Sequence, residues 1–175
     1  MRHITIILFL ILTSCKSEKA NKTADEMWNN FIKSNPKLTN DEMPEADFFH
    51  NNKEDAKRLG ELILNRKKKV GSSLYSLYVK YNADLPTIGT KQIVTDFDGN
   101  ALAIIENTKV DTIPFNKISA AYAELDMGTD SEPLKKWKKA HWDFFESFLE
   151  ESGEKPTEEM LIVCVWFETI WPEKN

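Results

Sequence analysis

The amino-acid sequence predicts an α+β domain in which a small, curled antiparallel β-sheet or barrel is flanked by helices. Three observations lead to this fold class. Apolar residues recur at helical spacing over 52–68. Asp98-Gly99-Asn100, a strong hairpin signal, separates two strand-like segments further along the chain. The closing run 161–171 (LIVCVWFETIW) is apolar and long enough to lie centrally in a sheet.

The first part of the chain carries signals for two helices. Met27, Trp28 and Phe31 lie at helical spacing in 24–35, and Pro36 ends that helix. A polar connector follows. Asn52 is a suitable N-cap, with Asp55 at position N3, for a second helix that runs to about Lys68.

After this helix the pattern becomes strand-like. The run 73–79 (SLYSLYV) has strand composition, and the hairpin pairs 91–97 with 101–110. A short helical stretch is expected from Pro114 to about Leu125. The clearest helix starts at 131–133 and ends near Gly153, with Trp137, His141 and Phe145 on its apolar face.

The N-terminus has the pattern of a lipoprotein export signal. Arg2 precedes the apolar run 4–12, which is too short for a membrane span, and Leu12-Thr13-Ser14-Cys15 matches a lipobox. The alternative is a buried apolar strand that ends in cysteine. We predict a signal peptide over 1–14 and a flexible tether over 15–23 with a lipid on Cys15. The protein would then be exported and anchored to a bacterial membrane on the periplasmic or cell-surface side.

The length and composition of the chain after the predicted signal peptide fit a single domain. The predicted organisation is an N-terminal helix and connector over 24–44, followed by a single domain over 45–175. The formal charge of −5 argues against a general nucleic-acid binder, so any nucleic-acid or nucleotide site must be a local patch. Cys164 is interpreted as a small buried hydrophobe. There is no His/Cys cluster at zinc spacing, so no metal and no cofactor are predicted.

Several motifs together resemble bacterial ASCH-domain proteins. The run 49–74 (FHNNKEDAKRLGELILNRKKKVGSSL) is similar to the opening of that family, and 137–145 (WKKAHWDFF) is similar to its Trp-Arg-x-Ala-His-x-x-Phe-Phe helix. Pro86-Thr87-Ile88-Gly89 and Asp98-Gly99 fall where the family has its hairpin. The resemblance implies a β-barrel related to PUA domains, with a cleft beside a lysine-containing loop. For the family, RNA or modified-nucleoside binding is inferred, and some members hydrolyse RNA or deacetylate acetylcytidine.

The resemblance also suggests catalytic residues. In the hydrolytic members a lysine, a threonine three positions later and a strand glutamate act together. Alignment by the lysines places Lys68 on that lysine, Gly71 on the threonine and Glu106 near the carboxylate. Glycine has no nucleophile, so Ser72 or Ser73 would have to replace it. Adjacent strand residues face opposite sides, so at most one of them can point into the cleft, and Ser73 is the preferred hydroxyl.

Each candidate also has a structural interpretation. The three consecutive lysines at 67–69 are either solvent-exposed residues at the end of the helix or a phosphate site. Lys67 and Lys68 are the two that the binding hypothesis uses. Glu106 could face outward from its strand. His141 is either a core histidine or a ligand contact. Tyr75 could stack on a base or simply pack.

Two functions follow from these residues. The first is a binding module for a nucleoside, nucleotide or short RNA, with Lys67, Lys68, Ser72, Ser73, Tyr75 and His141 as ligand contacts. The second is a hydrolase of an amide or phosphodiester, with Lys68, Ser73 and Glu106 as the catalytic residues. The missing threonine favours the binding module. Because the predicted anchor conflicts with access to cytoplasmic RNA, a third possibility is that the cleft has been adapted to an unrelated small polar ligand.

Overall fold

The computed structural model describes residues 23–150 and 152–173. The predicted signal peptide 1–14, the lipidation site Cys15 and most of the tether lie outside these residues. Within the described part of the chain, no helix has both the length and the apolar character needed to cross a membrane.

A five-stranded sheet forms the centre of the fold. Its strands are β1 (Ala46–Asp47), β2 (Val70–Leu74), β3 (Lys91–Thr95), β4 (Ala101–Pro114) and β5 (Leu161–Trp171). Their spatial order is β1-β3-β4-β5-β2. Every pairing is antiparallel except that of the two-residue β1 with β3. The predicted α+β fold is therefore confirmed, with a mixed rather than a purely antiparallel sheet.

Helices and short 3₁₀ turns surround this sheet. The helices are α1 (Ala24–Ser34), α2 (Lys53–Leu64), α3 (Tyr75–Tyr81), α4 (Ala120–Met127) and α5 (Pro133–Glu150), with 3₁₀ turns at Pro36–Leu38 and Phe115–Lys117. The predicted N-cap of α2 is confirmed, since the Asn52 side chain accepts a hydrogen bond from the Asp55 backbone N–H at 2.9 Å. The predicted hairpin and closing strand are confirmed as well.

The predicted strand 73–79 is wrong. Strand β2 ends at Leu74, which pairs with Ile162 close to the first residue of β5. Only Leu161 of β5 lies beyond that point, and the chain turns into α3. Leu77 and Tyr78 then follow Leu74 at helical rather than strand spacing.

The predicted helical stretch from Pro114 to Leu125 is also different in the structure. It is divided into a 3₁₀ turn and α4, because the Ser119 side chain caps a new helix by accepting from the Tyr122 backbone N–H at 3.1 Å.

The buried core is divided into clusters on different parts of the sheet. Trp137, Phe115 and Phe145 form the centre of the cluster between the sheet and helices α4 and α5. On another part of the sheet, Trp28 and Phe31 of α1 pack in a second cluster. The N-terminal helix thus packs directly against the sheet.

Candidate functional site

Lys68 is directed into the protein by the way helix α2 ends. Arg66 adopts a left-handed conformation with φ of 57°. The Lys67 backbone N–H donates to the Leu62 carbonyl at 2.8 Å, and that of Arg66 donates to the Ile63 carbonyl, also at 2.8 Å. This pair of bonds is a Schellman motif, which reverses the chain direction after a helix. Helix α2 therefore ends at Leu64, earlier than predicted, and Lys68 is 4% exposed.

Asp126, near the end of α4, is the partner of Lys68. The Lys68 ammonium forms an ion pair with Asp126 Oδ1 and lies 3.2 Å from the Asp126 backbone carbonyl. Asp126 is 2% exposed. The interpretation of Lys68 as part of a solvated helix exit is therefore wrong, because its charge is buried and compensated by a carboxylate.

The second oxygen of Asp126 accepts hydrogen bonds from two other elements. The Ser72 hydroxyl on β2 donates to Asp126 Oδ2 at 2.6 Å, and the Trp137 indole N–H on α5 donates to it at 2.8 Å. The Tyr122 hydroxyl lies 2.9 Å from Ser72 Oγ and donates to the Gly71 carbonyl at 2.8 Å. Every buried side-chain nitrogen and oxygen atom of the described residues, including those of this network, has at least one hydrogen-bond partner.

His141 completes the network from α5. Its ring stacks on Trp137 with centroids 4.2 Å apart. Its Nδ1 donates to the Trp137 carbonyl at 3.0 Å, and its Nε2 lies 3.4 Å from Asp126 Oδ2. His141 packs on the core, as one of the two interpretations expected, and it also lines a cavity; its role as a ligand contact stays a prediction.

Burial and charge shift the ionisation of these groups. Burial alone would raise the pKa of Asp126, but the Lys68 ammonium and the Ser72 hydrogen bond hold it below its usual value. Burial lowers the pKa of His141, although the Asp126 carboxylate opposes this shift. At neutral pH the site therefore contains an ionised Asp126 and a neutral His141.

A cavity of about 480 Å³ opens beside this network. We call it the Lys68 cavity. Lys68, Ser72 and His141 contribute its polar lining, and Phe49 and Phe144 contribute aromatic walls. Its volume falls in the range of small-molecule sites.

The charged side chains that line the Lys68 cavity carry a slight excess of negative charge. Its two cations, Lys68 and Arg58, are outnumbered by three carboxylates. Arg58 is paired with Asp55 at 2.6 Å, as Lys68 is with Asp126. Both cations of this lining therefore have a carboxylate partner.

The structure brings three of the predicted site residues together and separates the others. Lys68, Ser72 and His141 share the Lys68 cavity. The Lys67 side chain is exposed. The Ser73 hydroxyl lies 3.0 Å from the Tyr78 hydroxyl and lines a different cavity.

Glu106 and Tyr75 also lie away from Lys68. Glu106 pairs with Lys91 of the neighbouring strand at 3.1 Å and is not among the side chains that line the Lys68 cavity. Tyr75, the first residue of α3, lines a shallow surface pocket formed with the following loop. The arrangement with Lys68, Ser73 and Glu106 in contact is therefore not present, and Ser72 is the hydroxyl nearest the lysine network.

Sequence reasoning missed Asp126 and Tyr122. Both lie on one face of α4, four positions apart. The available signal was indirect, because Trp137 and His141 occupy an apolar helix face and each carries an N–H that needs a buried acceptor. No cluster of three or more His, Cys, Asp or Glu side chains suited to a metal ion occurs in the described residues.

The comparisons with known proteins agree with this architecture. A family model described as the ASCH domain matches residues 45–171. The chain belongs to the ASCH-domain family. Its sheet and helices accordingly form a PUA-like fold. The comparison with curated proteins gave no match.

Two solved structures are similar to this ASCH domain. An ASCH domain from Lactobacillus crispatus JV V101 superposes with a TM-score of 0.77 at 26% identity, covering 83% of this chain and 92% of the other. A protein from Enterococcus faecalis V583 superposes with a TM-score of 0.76 at 30% identity, covering 84% of this chain and 87% of the other. The likeness thus extends over nearly the whole length of both relatives.

Proposed function

We propose that this ASCH domain is a binding module for a neutral nucleoside, held in the Lys68 cavity. The observation that carries the proposal is a buried Lys68–Asp126 ion pair, with its hydrogen-bond partners, that lines a cavity with aromatic walls. Such a network holds its polar groups in fixed positions, which favours recognition of one ligand shape.

The walls of the cavity suit a planar ring. Phe144 lies against His50 with ring centroids 4.4 Å apart, and Phe49 is a further aromatic contributor. A base that stacks on an aromatic side chain gains about 1–3 kcal/mol. This arrangement supports a ligand with a flat aromatic face.

The polar lining offers both donors and acceptors. The Lys68 ammonium carries three N–H donors, and its contacts with Asp126 use two of them. The neutral His141 ring donates from Nδ1, which leaves Nε2 as an acceptor. The edge of a nucleobase has donors next to acceptors, and can therefore pair with both groups.

The charge of the cavity favours a nucleoside over a nucleotide or RNA. A phosphate would add negative charge where three carboxylates already outnumber two paired cations. Strong phosphate binders instead present free cations and lose affinity steeply as salt rises. We therefore expect nucleoside binding that changes little with salt.

Calorimetric titration tests this proposal. Cytidine, acetylcytidine and adenosine would be compared with their 5′-monophosphates at low and high salt. We expect the nucleosides to bind more tightly than the monophosphates. Binding of monophosphates or short RNA alone, with a steep salt dependence, would contradict the proposal.

Two neighbouring serines provide matched variants for the same titration. Ser72→Ala removes a hydroxyl from the Lys68 network, whereas Ser73→Ala removes one that lies beside Tyr78 in the other cavity. We expect Ser72→Ala to weaken nucleoside binding by about tenfold and Ser73→Ala to leave it nearly unchanged. Equal effects of the two changes would contradict the assignment of the cavity.

A second candidate function is hydrolysis of an amide or phosphodiester in a modified nucleoside or RNA. The contact that favours it is the 2.6 Å hydrogen bond from the Ser72 hydroxyl to Asp126, since a nearby base can activate a hydroxyl. The lowered pKa of Asp126 makes it a weak base, which favours binding over catalysis. Release of cytidine from acetylcytidine, abolished by Ser72→Ala, would support the hydrolase; no release would leave the binding module.

We also propose that the protein is exported and anchored to a membrane through a lipid on Cys15. The support is the leader sequence that ends in Leu12-Thr13-Ser14-Cys15. A nucleoside is a small ligand that can reach an exported domain, which makes it compatible with the anchor. Mass spectrometry of the membrane fraction should show an N-terminal acylated Cys15, and Cys15→Ala should release the protein. A soluble, uncleaved chain would contradict the anchor.

A further inference from the structure

A second cavity, larger than the Lys68 cavity, lies on another part of the sheet. Its volume is about 840 Å³. The connector before β1, the loop before β3 and strand β2 enclose it, through residues such as Glu45, Thr90 and Ser73. We call it the acidic cavity because Asp41, Glu42 and Asp84 also contribute to its lining.

The acidic cavity has a large excess of negative charge. Its lining contains four carboxylates, those of Asp41, Glu42, Glu45 and Asp84, and a single cation, Lys91. Lys91 is already paired with Glu106, 3.1 Å away. None of the four carboxylates takes part in an ion pair with another described residue. A cationic ligand would therefore meet carboxylates that no protein cation neutralises.

Aromatic side chains are part of the lining of the same cavity. Trp28, Tyr78 and Phe167 all contribute to it. Ammonium groups are attracted to the faces of such rings when they lie within about 6 Å of the ring centre. Carboxylates combined with aromatic rings are suited to an organic ammonium ion, whose alkyl part needs apolar contacts.

The geometry argues against a metal ion at this place. The described residues contain no cluster of three or more carboxylate, His or Cys side chains close enough to hold one. The volume is also that of a small-molecule site and far exceeds a single ion. The four carboxylates therefore act as a distributed negative field.

We propose that the acidic cavity binds a small organic amine carrying one or more ammonium groups. The proposal does not depend on the nucleoside site, because Asp41, Glu42 and Asp84 are absent from the lining of the Lys68 cavity. Phe49 and Ser72 line both cavities, so substitutions at these two residues would not separate the sites.

Calorimetric titration of the intact protein with spermidine and with choline tests the proposal. The test variant is Asp41→Asn/Glu42→Gln/Asp84→Asn. The control is Glu124→Gln/Glu146→Gln/Glu154→Gln, which changes the net charge equally at sites outside the cavity. Exposed charge pairs are individually weak, so we expect the test variant to lose affinity by roughly 10- to 100-fold and the control by less than about threefold.

Three results would overturn the proposal. The first is that neither amine binds at low salt. The second is that the two triple variants lose affinity equally, which would mean that only the net charge of the protein matters. The third is that Mg²⁺, added at the same concentration of positive charge as the amine, displaces the amine fully, which would indicate a diffuse counterion. The substituted carboxylates are exposed, apart from the half-buried Glu146, and none of them takes part in an ion pair with another described residue, so both variants should melt within a few degrees of the parent. The nucleoside titration is read separately and can fail or succeed independently.

Discussion

Removing the positive charge of Lys68 should destabilise the domain severely. Lys68→Met keeps most of the side-chain volume but leaves the Asp126 carboxylate, 2% exposed, without its counter-ion. Breaking a buried ion pair by removing one partner costs about 3–5 kcal/mol. With a typical urea dependence of about 2 kcal/mol per molar, the unfolding midpoint should fall by about 2 M.

A double-mutant cycle tests whether this loss comes from the unpaired charge. Asp126→Asn removes the carboxylate charge but keeps an oxygen that can accept from Ser72 or Trp137. The double variant Lys68→Met/Asp126→Asn contains no buried charge at this site. We expect it to lose less stability than the sum of the single changes, by about 2 kcal/mol or more.

The assay is equilibrium urea unfolding of the four proteins at pH 8. At this pH the nearby His141 is neutral, since burial lowers its pKa, and it does not act as a substitute cation. A Lys68→Met protein within about 1 kcal/mol of the parent would refute the reasoning. Additive losses in the double variant would show that the two residues do not interact.

Three further changes test other parts of the structure. His141→Gln should make stability less dependent on pH. Because the pKa of His141 is lowered in the folded state, the unfolded chain binds a proton first as pH falls below about 6.5. The parent protein therefore loses stability in this pH range, and the variant should lose less. Urea midpoints from pH 8 to 5 measure this, and an unchanged slope would exclude His141 as a source of the effect. Asn52→Ala should lower the free energy of unfolding by about 1 kcal/mol, because it removes the N-cap of α2. The same change at exposed Asn51 should lower it much less. Equal melting temperatures for the two variants would contradict the capping role of Asn52. Phe31→Ala should lower the free energy of unfolding by about 3–5 kcal/mol, because Phe31 is buried and packs against Trp28 and Trp171. The control is Asn30→Ala, a change at an exposed residue of the same helix. A negligible loss for Phe31→Ala would mean that α1 does not pack on the sheet.

Elements set by local chemistry could be predicted from the sequence. The N-cap at Asn52 and the hairpin around Asp98-Gly99 depend on residues within a few positions of one another. The same holds for the closing strand, whose apolar run is continuous. The resemblance to ASCH-domain proteins predicted the overall fold as well as these local elements, because its motifs are spread along most of the domain.

Features set by distant contacts could not be predicted in this way. The run 73–79 has strand composition, yet the chain becomes helical where the register with β5 ends. Lys68 and Asp126 are 58 positions apart, and nothing in the local sequence pairs them. The choice between Ser72 and Ser73 likewise depended on which side of β2 faces α4.

The most direct test of the nucleoside site is a ¹H–¹⁵N spectrum of the indole N–H groups during titration with cytidine. The chain has five tryptophans, and Trp137→Phe and Trp28→Phe assign the two signals of interest. The Trp137 indole donates to Asp126 beside the Lys68 cavity, whereas Trp28 lines the acidic cavity. We predict that cytidine shifts the Trp137 signal in a saturable manner and leaves the Trp28 signal in place. No shift at saturating cytidine, or a shift of Trp28 alone, would contradict nucleoside binding beside Lys68.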